Sequence, residues 1–115
     1  MIFSRRNPRL THREYVQYWS TNHVRIIKSQ VDFYGLVRGY SQKYIEENSF
    51  RTLSGSPIGD TQPYDGVVQL WFDSADAARQ AFASDGYRTS IKPDEPEFVA
   101  VGKSIAFLSK EVRRL

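Results

Sequence analysis

Tyr64-Asp65-Gly66-Val67-Val68-Gln69-Leu70-Trp71-Phe72-Asp73-Ser74 decides how this chain folds. It opens on a turn, runs through seven residues of which six are apolar, and stops at an Asp-Ser pair of the kind that starts a helix. Successive strand side chains point to opposite faces, so Val68, Leu70 and Phe72 share one row and Val67 and Trp71 the other. A sheet covered by helices on one side alone would show a polar alternate row. The second face therefore needs cover too, and a short chain has little left to supply it, so a partner subunit is the economical answer.

Working outward, residues 2 to 6 read as a short strand closed by Asn7-Pro8. Thr11 with Glu14 three places on forms a capping box, and Tyr15, Val16, Trp19, His23, Ile26 and Ile27 fall on one helical stripe. That helix should fade between Ser29 and Asp32. A strand from Leu36 to Ile45 follows, with Arg38, Tyr40, Gln42 and Tyr44 on one row and less burial than 64–72. Glu46 to Pro63 is a long connection rich in Ser, Gly, Thr and Pro, either a functional lid or an insert.

After the central strand, Asp73 or Ser74 caps an alanine-rich helix from 75 to 83, ended by Asp85-Gly86; alanine lets the axis sit close on a sheet. Residues 87–103, punctuated by Pro93 and Pro96, are expected to be irregular, and Ser104 to Val112 a final strand apolar on both rows. The order is βαββαβ, predicting an α+β ferredoxin-like fold: one domain over 1–115, a four-stranded antiparallel sheet, both helices on one face. A second copy stacking sheet on sheet would cover the other face, giving a dimeric α+β barrel and a homodimer.

Composition narrows the function. The chain has 115 residues, 40% apolar and 25% charged, which is one ordinary globular core. The 14% aromatic share points to a ring-lined core or pocket. No cysteine is present, which removes disulfides, thiolate nucleophiles and Cys-ligated zinc, and agrees with a reducing cytoplasm. The net charge of +3 is spread along the chain except at Arg5-Arg6 and Lys110…Arg113-Arg114, which read as solvated ends, so no nucleic-acid partner is expected. Apolar runs are too short for a membrane span and no apolar leader is evident, so no membrane partner is expected and the location is read as cytoplasmic.

His23 is the sharpest chemical candidate. It lies on the apolar stripe four residues after Trp19, where burial would keep it neutral and able to act as a base or donor. A core histidine bonded to a backbone carbonyl is the competing reading, and on pattern alone the commoner one. His12 falls about 16 Å away along the helix axis and should be solvated, so the two cannot share a metal. Tyr40 and Tyr44, with Tyr34 and Tyr64, can offer phenols to a developing oxyanion, or simply pack. Asp65 is a turn carboxylate or a group that orients a base. Asp94, Glu95 and Glu97 form an acidic knot that solvation or capping explains, with a place at a pocket entrance as the other option. No G-x-G-x-x-G, P-loop or nucleophile elbow occurs, and no metal, haem or flavin motif, so no cofactor is expected and acid–base side chains must carry any chemistry.

Two stretches resemble the EthD family. Leu10-Thr11-His12-Arg13-Glu14-Tyr15-Val16-Gln17-Tyr18-Trp19 with His23 is similar to its L-T-x-x-E-F-x-x-Y-W-x-x-x-H pattern. The run Tyr64 to Ser74 is similar to its Y-D-G-V-A-E-L-W-F-D-S, and Asp94…Phe98 to its D-x-x-x-F. The resemblance implies a dimeric α+β barrel with a pocket between sheet and helices, and the helix histidine, here His23, inside it. It implies cofactor-independent rearrangement of small, oxygen-rich, often aromatic molecules. Two departures stand out: only Met1 to Arg6 precede the proline turn where relatives have a longer first strand, and Tyr44 falls where a second histidine would. A His23/Tyr44 pair is the expected substitute.

The leading expectation is a small enzyme cyclising, dehydrating or isomerising an aromatic or polyketide-like carbonyl compound. His23 would be the base, and Tyr44 or Tyr40 would polarise the carbonyl. Trp19, Asn22, Asp65, Trp71, Phe72 and Phe98 are the expected substrate contacts. The alternatives are a non-catalytic ligand-binding or accessory dimer, and a structural subunit with no pocket above about 300 Å³.

Overall fold

The structure is a computed structural model describing residues 1–58, 62–112 and 114. Gly59 to Thr61 of the long connection, Arg113 of the basic tail and Leu115 lie outside the described residues. Four strands, β1 (Ile2–Ser4), β2 (Val37–Tyr44), β3 (Gly66–Phe72) and β4 (Ile105–Ala106), form an antiparallel sheet in the order β2-β3-β1-β4. This is the order a split βαβ unit dictates, because each crossover leaves room for one strand of the other half.

The first crossover begins where Thr11 accepts from Glu14 N and Glu14 reaches back to Thr11 N, starting α1 (His12–Tyr18). The helix continues through a π-helical stretch, Trp19–His23, into α2 (Val24–Ser29), and one further turn, α3 (Val31–Tyr34), leads to β2. Ser74 caps α4 (Ala75–Phe82) by accepting from Ala77 N, and the fully covered Ala78 and Ala81 bring that helix close to the sheet.

Three expectations need correction. Residues 87–98 are helical, as a π stretch (Tyr87–Ile91) running into α5 (Lys92–Phe98), not irregular. Pro93 stands where the π stretch passes into α5, and Pro96 falls near the helix end. β4 spans two residues rather than 104–112, because β1 offers it only Ile2 and Phe3 as partners before Phe107 N closes the ladder on Met1 O. β1 in turn stops at Ser4, with Arg6 making only an isolated bridge to Val99.

The rows of β3 fall as the sequence predicts. Val68, Leu70 and Phe72 face the helices, packing with Tyr15, Trp19 and Phe98 at one end and with Ile27, Phe33, Ala81 and Ile91 at the other. The opposite row carries Trp71, whose ring lies across Gly39 of β2 so closely that a Cβ there would meet it at 2.9 Å. Gly66 is held the same way on the helix side: a Cβ would come within 2.5 Å of both the Trp19 ring and the Tyr15 hydroxyl.

Candidate functional site

The single helix of the first crossover presents two working flanks. On one, His23 lies under α5 with its side chain 7% exposed, and its Nδ1 is 2.8 Å from Asp94 Oδ2. A carboxylate only accepts, so Nδ1 carries the hydrogen and donates. The other carboxylate oxygen, Oδ1, accepts from the Tyr18 hydroxyl at 2.5 Å. Phe98, four residues beyond Asp94 and on the same helix face, packs on both partners, stacked on Tyr18 with ring centroids 5.4 Å apart and tilted against His23 at 4.6 Å.

Electrostatics follow from this enclosure. Burial pulls the His23 pKa below its ordinary value, and the Asp94 carboxylate opposes that pull without reversing it. The ring is therefore neutral near pH 7, with the Nδ1–H tautomer fixed and the lone pair on Nε2. Nothing among the described residues bonds Nε2. Burial, then the adjacent Asp94, push the Tyr18 phenol up to about 12, so it stays a donor. His23 also closes the π-helical stretch, a wider turn often found at functional positions.

On the other flank, Ser20, Val24 and Lys28 of the helix face Tyr40, Gln42 and Tyr44 of β2 across a cleft of about 420 Å³, with Tyr34 also in its wall. Gln42 organises the strand side. Its Nε2 donates to the Trp19 carbonyl at 3.3 Å and to the Tyr40 hydroxyl at 3.0 Å, and its Oε1 accepts from the Tyr44 hydroxyl at 2.8 Å. Burial raises the Tyr40 pKa, while bonds to Gln42 and Trp19 draw it partly back.

The expected site residues thus separate. Trp19, His23 and Phe98 lie together in the core around the His23 flank, and Tyr40 and Tyr44 line the cleft. His23 is not in the cleft lining, so the structure does not bring it together with Tyr44; Trp19 lies between the two, clustered with Phe98 and edge-on to Tyr44 at 5.2 Å. Phe72 packs in the second cluster with Phe33 and Phe82, Trp71 is on the opposite sheet face over Gly39, and Asn22 is solvent-exposed.

Asp65 belongs to a third group. It is 6% exposed, accepts from Arg6 N at 2.8 Å and Gln62 Nε2 at 3.3 Å, and lies 3.8 Å from His12 Nδ1. His12 is accordingly not the solvated residue expected: its side chain is 24% exposed and its Nδ1 is enclosed without a hydrogen bond. Asp94 is the residue that pattern reading missed. Expected in an acidic knot explained by solvation or capping, with a pocket entrance as the other option, it is 10% exposed and bonded twice. Its spacing to Phe98 on one helical face was the available signal. Among the described residues no three His, Asp or Glu side chains gather as a metal-ligand set, and no helix is long and apolar enough to cross a membrane.

Comparison with known proteins supplies one finding. A family model described as the EthD domain matches residues 7–102, and the chain belongs to that family. No curated protein matches it significantly.

Proposed function

We propose that the chain is a cofactor-independent small-molecule enzyme, working as a cytoplasmic homodimer, that moves protons on an aromatic or polyketide-like carbonyl compound so as to cyclise, dehydrate or isomerise it. The observation that carries this reading is the buried His23–Asp94 bond with Nε2 left open. Asp94 fixes the tautomer and stabilises the imidazolium that forms when Nε2 removes a proton next to a carbonyl. The same nitrogen then returns the proton to a departing hydroxyl or to the rearranged carbon. Tyr40 and Tyr44 line the cleft on the other flank and have no part in this step, and Trp19 and Phe98 are its apolar walls.

The homodimer is supported by the sheet face opposite the helices. There Phe3, Val67, Trp71 and Ile105 are only partly covered, and Ile105 is 48% exposed. Light scattering at micromolar concentration should give twice the chain mass; a monomer there would remove the stacking model.

A second reading, a binding or accessory protein without turnover, is favoured by the absence of His23 from the cleft lining. Deuterium wash-in at the methyl group of aryl methyl ketones, followed by NMR, separates the two. Wild type should accelerate exchange, and His23→Ala should lose about 100-fold or more of that acceleration. Equal rates in both proteins would remove His23 from the mechanism and leave the binding reading.

A further inference from the structure

The β2 cleft carries two unspent polar groups, and together they define a ligand. The first is the Tyr40 hydrogen. The Trp19 carbonyl can only accept, so the Gln42 amide must turn its NH₂ that way, and the same NH₂ then donates to Tyr40. Tyr40 oxygen is therefore an acceptor within the protein, and its own hydrogen meets no acceptor among the described residues. Tyr44 differs: its hydrogen is already committed to Gln42 Oε1. The second unspent group is the Lys28 ammonium, which has no acidic partner among the described residues and stands on the same wall as Val24, one turn along.

We propose that this cleft binds an aromatic monocarboxylate, its carboxylate shared between Lys28 Nζ and the Tyr40 hydroxyl and its ring lying among Tyr34, Val24 and Tyr44. A planar acid suits a tyrosine-walled cleft of about 420 Å³. One cation and one phenol match a single negative charge. A phosphate dianion is poorly served, because among the described residues the cleft lining brings one cation, Lys28. The inference rests on the small-molecule reading above but not on catalysis by His23.

The test is calorimetric binding of 2,4-dihydroxybenzoate and of its methyl ester. Wild type should prefer the acid by about tenfold or more, the scale of one charge-assisted hydrogen bond. Lys28→Met should weaken the acid by a similar factor and leave the ester within about twofold, while Tyr40→Phe should weaken both. Both side chains reach solvent or the cleft, and far-UV circular dichroism of each variant checks that it folds. Ester bound as tightly as acid, or acid binding indifferent to Lys28→Met, would overturn the proposal. His23→Ala should keep the acid preference. Thus a Lys28-independent protein that still loses proton exchange with His23→Ala defeats this inference alone, and a Lys28-dependent one indifferent to His23→Ala in exchange defeats only the catalytic reading.

Discussion

Two histidines on one helix each face an aspartate through Nδ1, and they do opposite things. His23 and Asp94 meet at 2.8 Å with both side chains at or below 10% exposure. His12 and Asp65 stand 3.8 Å apart, too far for a hydrogen bond, with His12 a quarter exposed. What each carboxylate does otherwise explains the contrast. Asp65 holds chain together: it accepts the Arg6 backbone N–H and the Gln62 amide, and its backbone N–H donates to Ser4 O, so it fastens the start of β3 to the end of β1. Among the described residues Asp94 accepts only from side chains, Tyr18 and His23, and so fixes the state of an imidazole. Proximity of a histidine to a carboxylate is thus not in itself a site; the carboxylate's remaining partners decide.

The strongest way to break this comparison is to neutralise each aspartate. Asp94→Asn should cut proton-transfer turnover about 100-fold, because an amide can present its NH₂ to Nδ1 and select the wrong tautomer. Asp65→Asn should stay within about twofold of wild type. Equal losses would mean that both aspartates act only through the fold.

A smaller effect sharpens the structural half. Asp65→Ala leaves the Arg6 N–H and the Gln62 amide unpaired in a region where the carboxylate is 6% exposed. It should cost about 1–3 kcal/mol in urea denaturation. A change under about 0.5 kcal/mol would show that water takes over the Asp65 bonds and that the turn does not depend on them.

Much of this contrast could be read before any coordinates. The capping box at Thr11, the strand rows of β3 and the inward stripe carrying His23 all follow from spacing, since 3.6- and 2-residue periods fix which side chains share a face. The partner of His23 could not, because the prolines at 93 and 96 argue against helix and hid that Asp94 and Phe98 share one helical face. Pattern also overstated the C-terminal strand, since strand length depends on the partner and β1 is only three residues long. The cleft was half legible: Tyr40, Gln42 and Tyr44 share a row, but Lys28 and Tyr34 join them only through the bend from α2 through α3 into β2. Trp71 lies on the outer row that its period predicts, and so does not wall a pocket on the helix side.

Protons offer the gentlest probe of the His23 side. A histidine whose folded pKa lies below the ordinary 6.5 holds a proton less well folded than unfolded. Its stability contribution is complete above 6.5 and drains as pH falls from 6.5 toward the folded value, at most about 1.4 kcal/mol per pH unit. Glu95, lifted above 4.5 by burial, acts in the opposite sense as the pH falls, so a wild-type profile alone mixes the two. Subtraction isolates His23, because His23→Gln keeps Glu95 and removes only the imidazole. Between pH 7 and 5 the wild type should therefore lose more unfolding free energy than His23→Gln. Asp94→Asn should widen the wild-type loss, since the carboxylate is what holds the His23 pKa up. Parallel profiles in all three proteins would mean that the ring is not desolvated as its 6% exposure implies, and the distinction between the two histidines would then rest on distance alone.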